Sequence, residues 1–232
     1  MKVAIMAPMR QELAPIVKAF SLQKSTTDGP VRHTGTLGTT AVVAATTGIG
    51  TAGAQRATEA LLDATAVDHV MVVGIAGGVG PTVRIGALVY PEVVIDKATG
   101  TEYRPAHLGD PPARGTLITS DDFLIEPGAV EEMTAAGVIA LDMETSAVAA
   151  VCESRGCAWS VIRAISDMAT DHPDDAVLGL AKPDGSPNGP AVAKFLLTKP
   201  WRIPKLAKLQ QGTKLAALNA AQAAAKVCAA QT

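Results

Sequence analysis

The sequence predicts an α/β fold: a single-domain, three-layer sandwich with a central mixed β-sheet flanked by helices. Three observations lead there. Short apolar runs such as Lys2–Ala7, His69–Ile75 and Trp159–Ser166 alternate with stretches of helical periodicity. Four apolar residues in succession, Val70–Val73, fit a strand buried on both faces, which requires helices above and below it. The length, 232 residues of which 48% are hydrophobic and 18% charged, suffices for one full α/β domain with at most an appendage.

Lys2–Ala7 is the first strand, and Pro8 fits the first turn of a helix running to about Phe20, where no N–H is needed. His33–Leu37 and Thr40–Ala45 form a hairpin around Gly38. Gly48 and Gly50 close that region, and Thr51 caps a helix with apolar positions at Ala54, Ala57, Leu61 and Leu62. After the buried strand His69–Ile75 comes Ile85–Ile95, a long strand interrupted by Pro91, and then the short strand Gly115–Thr119. Glu126–Ala136 is a helix with Gly137 at its C-terminal end, where left-handed backbone is common. Val138–Met143 leads into a helix from about Thr145 to Ser154, stopped by Gly156, and Trp159–Ser166 is the last strand.

Composition shifts after Asp171, so residues 1–171 read as the core and 172–232 as a loop or lid with C-terminal helices packed on the same domain. His172–Pro190 is rich in Pro, Gly and Asp, as a long ordered loop would be. Ala191–Lys199 follows, then a break at Pro200–Pro204. A basic, alanine-rich helix runs from about Lys205 to Ala230, with Leu206, Leu209, Leu215 and Leu218 as its apolar stripe.

Net charge is −2 with both signs interspersed, and aromatic residues make up 3%, so neither a positive face nor base-stacking platforms for nucleic acid are expected. Cys152, Cys157 and Cys228 are an odd number without metal-ligand spacing and read as free thiols of a cytoplasmic protein. His33, His69, His107 and His172 show no paired metal spacing either. The longest apolar stretch, Val70–Val83, carries four glycines and a proline, where a membrane span needs about 20 predominantly apolar residues. No signal-peptide core follows Lys2.

The chemistry concentrates in LDMETSAVAAVCESRGCAWSVIRAISDMATD, Leu141–Asp171. Glu144 falls where a strand turns into a helix, Arg163 inside an apolar strand, and Asp167 where that strand ends. Charged groups at strand ends are how an open α/β sheet assembles a small-molecule site. Arg163, among Val161, Ile162, Ala164 and Ile165, needs an anionic partner, and Asp142 or Glu144 could supply it. Glu12 and Glu144 sit in first turns of helices, where acids also merely complement the dipole, and Asp167 could be a simple cap. Ser166 lacks the glycines of a nucleophile elbow. Gly74-Ile-Ala-Gly77-Gly78-Val-Gly80 has the wrong spacing for a dinucleotide fingerprint. It is either a tight turn between two strands or bare backbone against which a flat ligand lies.

Four segments, MAPMRQEL at 6–13, GIAGG at 74–78, DMETSAVA at 142–149 and RAISDMATD at 163–171, occur in the order found in the nucleoside phosphorylase/nucleosidase superfamily. The chain resembles most the branch that includes methylthioadenosine/S-adenosylhomocysteine nucleosidase, over about residues 1–171. The resemblance implies cleavage of an N-glycosidic bond to a purine, with no metal or organic cofactor. It assigns Glu12 to water activation and Glu144 to the ribose 2′- and 3′-hydroxyls, with Met143 packing under the sugar and base. Asp167 matches the acid at N7 of the leaving base, steadied by Ser166, and Arg163 matches a residue beside the water. Phe123 and Leu124 resemble the segment that stacks on and reads the base, and Ala76 and Gly77 the backbone beside the nucleoside. The resemblance also implies a homodimer.

Those residue types suit the reaction. Breaking a glycosidic bond leaves positive charge on the sugar and negative charge on the base. Asp167 must then carry a proton, while Glu144 and Glu12 must be ionised. Ile75 stands where many members of the superfamily have a small hydroxyl residue, and Asp142 replaces the more usual glutamate. Residues 172–232 instead resemble hopanoid-associated phosphorylases, which leaves the 5′ substituent open. Three activities are compatible with these residues: hydrolysis, phosphorolysis with Arg10, Arg84 and Arg163 around Gly48 and Gly50, and nucleoside binding without turnover.

Overall fold

The computed structural model describes residues 1–25, 31–108, 112–122, 128–171, 194, 198 and 203–230. Phe123, Leu124 and the expected loop His172–Pro190 lie outside the described residues, as does the expected helix start at Glu126.

Strand β1 (Lys2–Ala7) lies between β4 (Thr40–Thr46) and β5 (His69–Gly78), parallel to both. β3 (Arg32–Leu37) makes the expected hairpin with β4, and a two-residue strand, β2 (Gln23–Lys24), extends that edge. The expected strand 85–95 is instead two short ones, β6 (Leu88–Val89) and β7 (Val93–Asp96), because Pro91 has no N–H to continue a ladder. β8 (Glu102–Tyr103), β9 (Thr116–Thr119), β10 (Val138–Asp142) and β11 (Ala158–Met168) complete a mixed sheet.

β5 organises the sheet. β11 occupies one edge of it along the whole register from Ala158↔His69 to Met168↔Gly78. The other edge is shared: β1 pairs it at residues 69–72, and β10 pairs it, antiparallel, at Gly77 and Gly78. Between them residues 73–76 meet no strand among the described residues. That gap is where the site forms. It also corrects one expectation: Gly74, Gly77 and Gly78 are not a turn but a continuation of the strand.

Helices cover both faces. α1 (Arg10–Ala19) and the C-terminal α5 (Ile203–Ala229) pack on one face over Val3, Ile5, Met71, Val73 and Ile162. α2 (Thr51–Ala64) and α4 (Thr145–Ser154) pack on the other over Ala4, Met6, Val70, Val72 and Val161. The period-2 alternation of a strand sends neighbouring residues of β1 to opposite cores, so both of its faces must be apolar. A short α3 (Ala129–Ala135) precedes β10.

Three local expectations change. Met9, not Pro8, begins the first helix; Pro8 stands just before the N-cap. Gly50, with φ of 91°, is the N-cap of α2, and Thr51 is its first helical residue. The leucine stripe of α5 does not carry its packing: Leu215 and Leu218 are 46% and 45% exposed, and Ala216, Ala217, Ala220, Ala221, Ala223 and Ala224 are buried instead. Small residues let the helix axis approach the sheet closely. At Gly212 the backbone comes so near that an added Cβ would strike the Ser166 carbonyl oxygen.

Candidate active site

The open stretch of β5 is filled by a side chain. Glu12, three residues past the Met9 N-cap, accepts the Met9 N–H on Oε2 at 2.9 Å and the Ile75 N–H on Oε1 at 2.8 Å. It therefore ties the start of α1 to the unpaired edge of β5, and its carboxyl is 1% exposed. Gly74 makes this approach possible. A Cβ there would touch Glu12 Oε1 and lie 2.6 Å from Arg163 Nη1.

Arg163, on β11 beside Gly74, is completely buried. Its Nη2 donates to Asp142 Oδ2 and, at 3.0 Å, to Thr145 Oγ1; Glu144 Oε2 stands 3.5 Å away. Its Nη1 lies 4.0 Å from Glu12 Oε1. Neither Nε nor Nη1 has a hydrogen-bond partner among the described residues. Three carboxylates thus surround one guanidinium.

Asp142 ends β10 and Glu144 is the N-cap of α4, so the strand-to-helix turn presents two acids with Met143 between them. Thr119 Oγ1 donates to Asp142 Oδ1 at 2.7 Å, and the Thr145 hydroxyl donates to Oδ2. Glu144 Oε1 accepts the Gly50 N–H at 3.0 Å. The left-handed Gly50 is in turn braced by Asp121, which accepts both the N–H and the hydroxyl of Thr51.

Electrostatics follow from this burial. Loss of water pushes the Glu12 carboxyl up to about 7, against the opposing pull of Arg163 and the two N–H groups. Burial likewise pushes Glu144 up to about 8; Arg163 lowers it and Asp142 raises it further. Burial works against the Arg163 charge, but Asp142, Glu144 and Glu12 hold its pKa above the usual value. With every carboxyl ionised the cluster would carry a net −2, so it holds protons well above the ordinary carboxylate range.

Ser166 and Asp167 stand at the end of β11, past a bulge at Ile165/Asp167. The Ser166 hydroxyl donates to Asp167 Oδ1 and is 3.4 Å from the Ala76 carbonyl oxygen. Both residues line a cavity of about 540 Å³ walled by Ile85, Thr170, Pro204, Lys208 and Leu209, not by Glu12 or Glu144. The structure therefore gathers Glu12, Arg163 and Glu144 into one buried cluster and sets Asp167 at a neighbouring cavity mouth. Ala76 is buried, and Met143 and Gly77 are half-buried.

Residues 2–113 and 102–184 match the phosphorylase superfamily. The chain belongs to that superfamily. As an enzyme of the phosphorylase superfamily it is 29% identical over 205 residues to the 5′-methylthioadenosine/S-adenosylhomocysteine nucleosidase of Tolumonas auensis, covering 75% of this chain and 89% of the relative. The Bacillus subtilis nucleosidase of the same name is 29% identical over 201 residues, covering 73% and 87%. Among solved structures, the S. pneumoniae nucleosidase with a transition-state inhibitor superimposes with a TM-score of 0.75 at 21% identity, covering all of both chains. Futalosine hydrolase of Helicobacter pylori gives 0.73 at 17%, covering 100% of this chain and 98% of that one. These likenesses establish the nucleoside phosphorylase-like architecture.

The larger cavity, about 910 Å³, lies between α1, α2 and β4 and contains none of Glu12, Glu144 or Asp167. Arg10 lines that cavity, and Arg84 is exposed. The anchoring roles of Thr119, Thr145 and the Gly50 N–H escaped sequence reasoning. Only Thr145, adjacent to the acid pair, carried a local signal.

No helix among the described residues is long and apolar enough to cross a membrane.

Proposed function

We propose that this enzyme hydrolyses the N-glycosidic bond of a purine nucleoside, with Glu12 as general base, Glu144 on the ribose hydroxyls and Asp167 as the acid at N7 of the base. The observation that carries this reading is the Glu12–Arg163 pair facing each other across 4.0 Å at the open edge of β5. Such spacing suits one water, its oxygen receiving an Arg163 N–H and its proton passing to Glu12. A pKa near 7 is what a general base at neutral pH requires, since it combines substantial ionisation with real proton affinity. Glu144, held by Gly50 on one oxygen, offers the other to hydroxyls, and in its ionised form, which gains ground as pH rises toward 8, its charge offsets the cationic sugar. Met143, Ala76, Gly77, Phe123 and Leu124 frame the nucleoside in this reading, and Ser166 steadies Asp167. The names of the relatives in Tolumonas and Bacillus support an adenine nucleoside with a 5′-thio substituent.

Water is favoured over phosphate by charge. A phosphate dianion would have to be desolvated beside buried acids whose one guanidinium is already paired with Asp142, a penalty that a neutral water does not meet. The proposal includes a homodimer, checked by light scattering on the eluted protein.

The test incubates the enzyme with methylthioadenosine, S-adenosylhomocysteine, adenosine and inosine, each with and without phosphate. Free base and free sugar, with a rate indifferent to phosphate, is the expected result. Formation of sugar 1-phosphate would establish phosphorolysis, and binding without release a non-catalytic role. Asp167→Asn is expected to abolish release while leaving nucleoside binding largely intact.

A further inference from the structure

We propose that Asp142 is a positioning residue for base release: by holding the Nη2 end of Arg163 it keeps Glu144 free for the sugar and aims Nη1 at Glu12. The inference rests on the nucleoside-cleaving reading above and assigns within it a residue that touches neither sugar nor base.

The hydrogen count on Arg163 is the starting point. Nη2 has two N–H groups, one given to Asp142 Oδ2 and the other to Thr145 Oγ1 at 3.0 Å. Glu144 Oε2, at 3.5 Å, accepts the third and longest of the Nη2 hydrogen bonds, the two shorter ones going to Asp142 and Thr145. The Glu144 oxygen is therefore the least tightly held of the three acceptors and can turn its lone pairs to hydroxyl donors.

Asp142 can do this because it is itself immobile. Its Oδ1 accepts from the Thr119 hydroxyl at 2.7 Å and the Thr145 N–H at 3.4 Å, and its Oδ2 from the Thr145 hydroxyl. Thr145 Oγ1 gives its proton to Asp142 while accepting from Arg163, which closes a triangle. Thr119 is fixed in turn by the Ser146 N–H at 3.0 Å, and the Ser146 hydroxyl reaches Asp96 at 2.9 Å. Three elements, β9, α4 and β11, thus meet on one 8% exposed side chain.

Without the Asp142 charge the nearest anion to Nη2 is Glu144. A buried guanidinium cannot remain unpaired, so it would move onto Glu144 and compete with the sugar hydroxyls. The same rotation would turn Nη1 away from Glu12.

Asp142→Asn removes the charge at constant shape. For a ribonucleoside substrate, kcat/KM is expected to fall between about tenfold and a hundredfold, the span of one charge-assisted hydrogen bond. For the 2′,3′-dideoxy analogue of the same nucleoside, which offers Glu144 no hydroxyl, the loss attributable to sugar binding disappears, and the penalty shrinks at least about threefold relative to the ribonucleoside. Asp142→Glu, which restores the charge, is expected to recover most of the ribonucleoside activity. Equal penalties on both substrates, or none on either, overturn the proposal. Should Asp142→Asn not fold, Thr119→Val leaves the charge but frees the carboxylate, and the same substrate split decides. If the wild-type protein releases base from no nucleoside, the functional reading fails and this inference with it; wild-type release with an unsplit penalty sinks this inference alone.

Discussion

Replacing Glu12 by Gln tests the proposed chemistry most directly. The glutamine keeps the volume of the buried side chain but cannot accept both backbone N–H groups, because its amide nitrogen must face either Met9 or Ile75. One lost hydrogen bond costs about 0.5–1.5 kcal/mol of stability, partly offset because burying an amide is cheaper than burying a carboxylate. Catalysis should suffer far more. Positioned proton transfer contributes about 10²–10⁴-fold, and the variant should lose that range in kcat with nucleoside affinity changed less than about tenfold. The pH profile sharpens the test. With a Glu12 pKa of about 7, the ionised fraction rises about tenfold between pH 6 and 8. Titration of Glu144, near 8, steepens the rise further, so the limb belongs to the pair. Adenine release followed by chromatography across pH 5.5–9 should show that steep limb in the wild-type kcat/KM and only the shallower Glu144 part of it in the variant. A variant as fast as wild type, or a wild-type profile flat from pH 6 to 8, would refute the base assignment.

Stability should depend on the same protons. Both carboxyls have folded pKa values, about 7 and about 8, above the 4.5 of an ordinary glutamate, so the native state binds more protons than the unfolded one in between. Stability therefore falls as pH rises from about 5 to 8, by at most about 1.4 kcal/mol per pH unit and group; a melting temperature that climbs over this range contradicts the burial argument. Gly74→Ala places a Cβ 2.6 Å from Arg163 Nη1 and against Glu12, and displacements of this size should cost base release about a hundredfold in steady-state assays. Gly212→Ala drives a methyl group into the Ser166 carbonyl oxygen and to 3.3 Å from Ile85, an overpacking worth about 1–3 kcal/mol that thermal denaturation would register. Leu215→Ser and Leu218→Ser, on the exposed side of α5, should each change stability by less than about 0.5 kcal/mol.

The α/β architecture was legible in the sequence because its signals are local. β1, the β3–β4 hairpin, β5, β10 and β11 all begin within a residue or two of where their apolar runs begin, and Gly137 and Gly156 both take the positive φ their positions suggest. What local pattern misjudged was distance to the next layer. Leucines on α5 read as its buried stripe, yet the sheet approaches so closely there that only alanine and glycine fit. Glycines at 74–78 read as a possible turn, since a single sequence cannot show that a carboxylate from α1 will take the place a side chain would occupy.

By itself the sequence determined which groups are available: two acids and a threonine at one strand-to-helix turn, an arginine within an apolar strand, and an acid in the first turn of the first helix. It also set the charge inventory that makes a buried arginine demand anions. Only the tertiary structure decided that residues 12, 142, 144 and 163 meet, because contact across more than a hundred residues depends on β1 and β10 leaving a gap along β5. It decided, too, that Asp142 holds the guanidinium more closely than Glu144 does, since hydrogen bonds are allotted by distance and direction, which residue order does not contain.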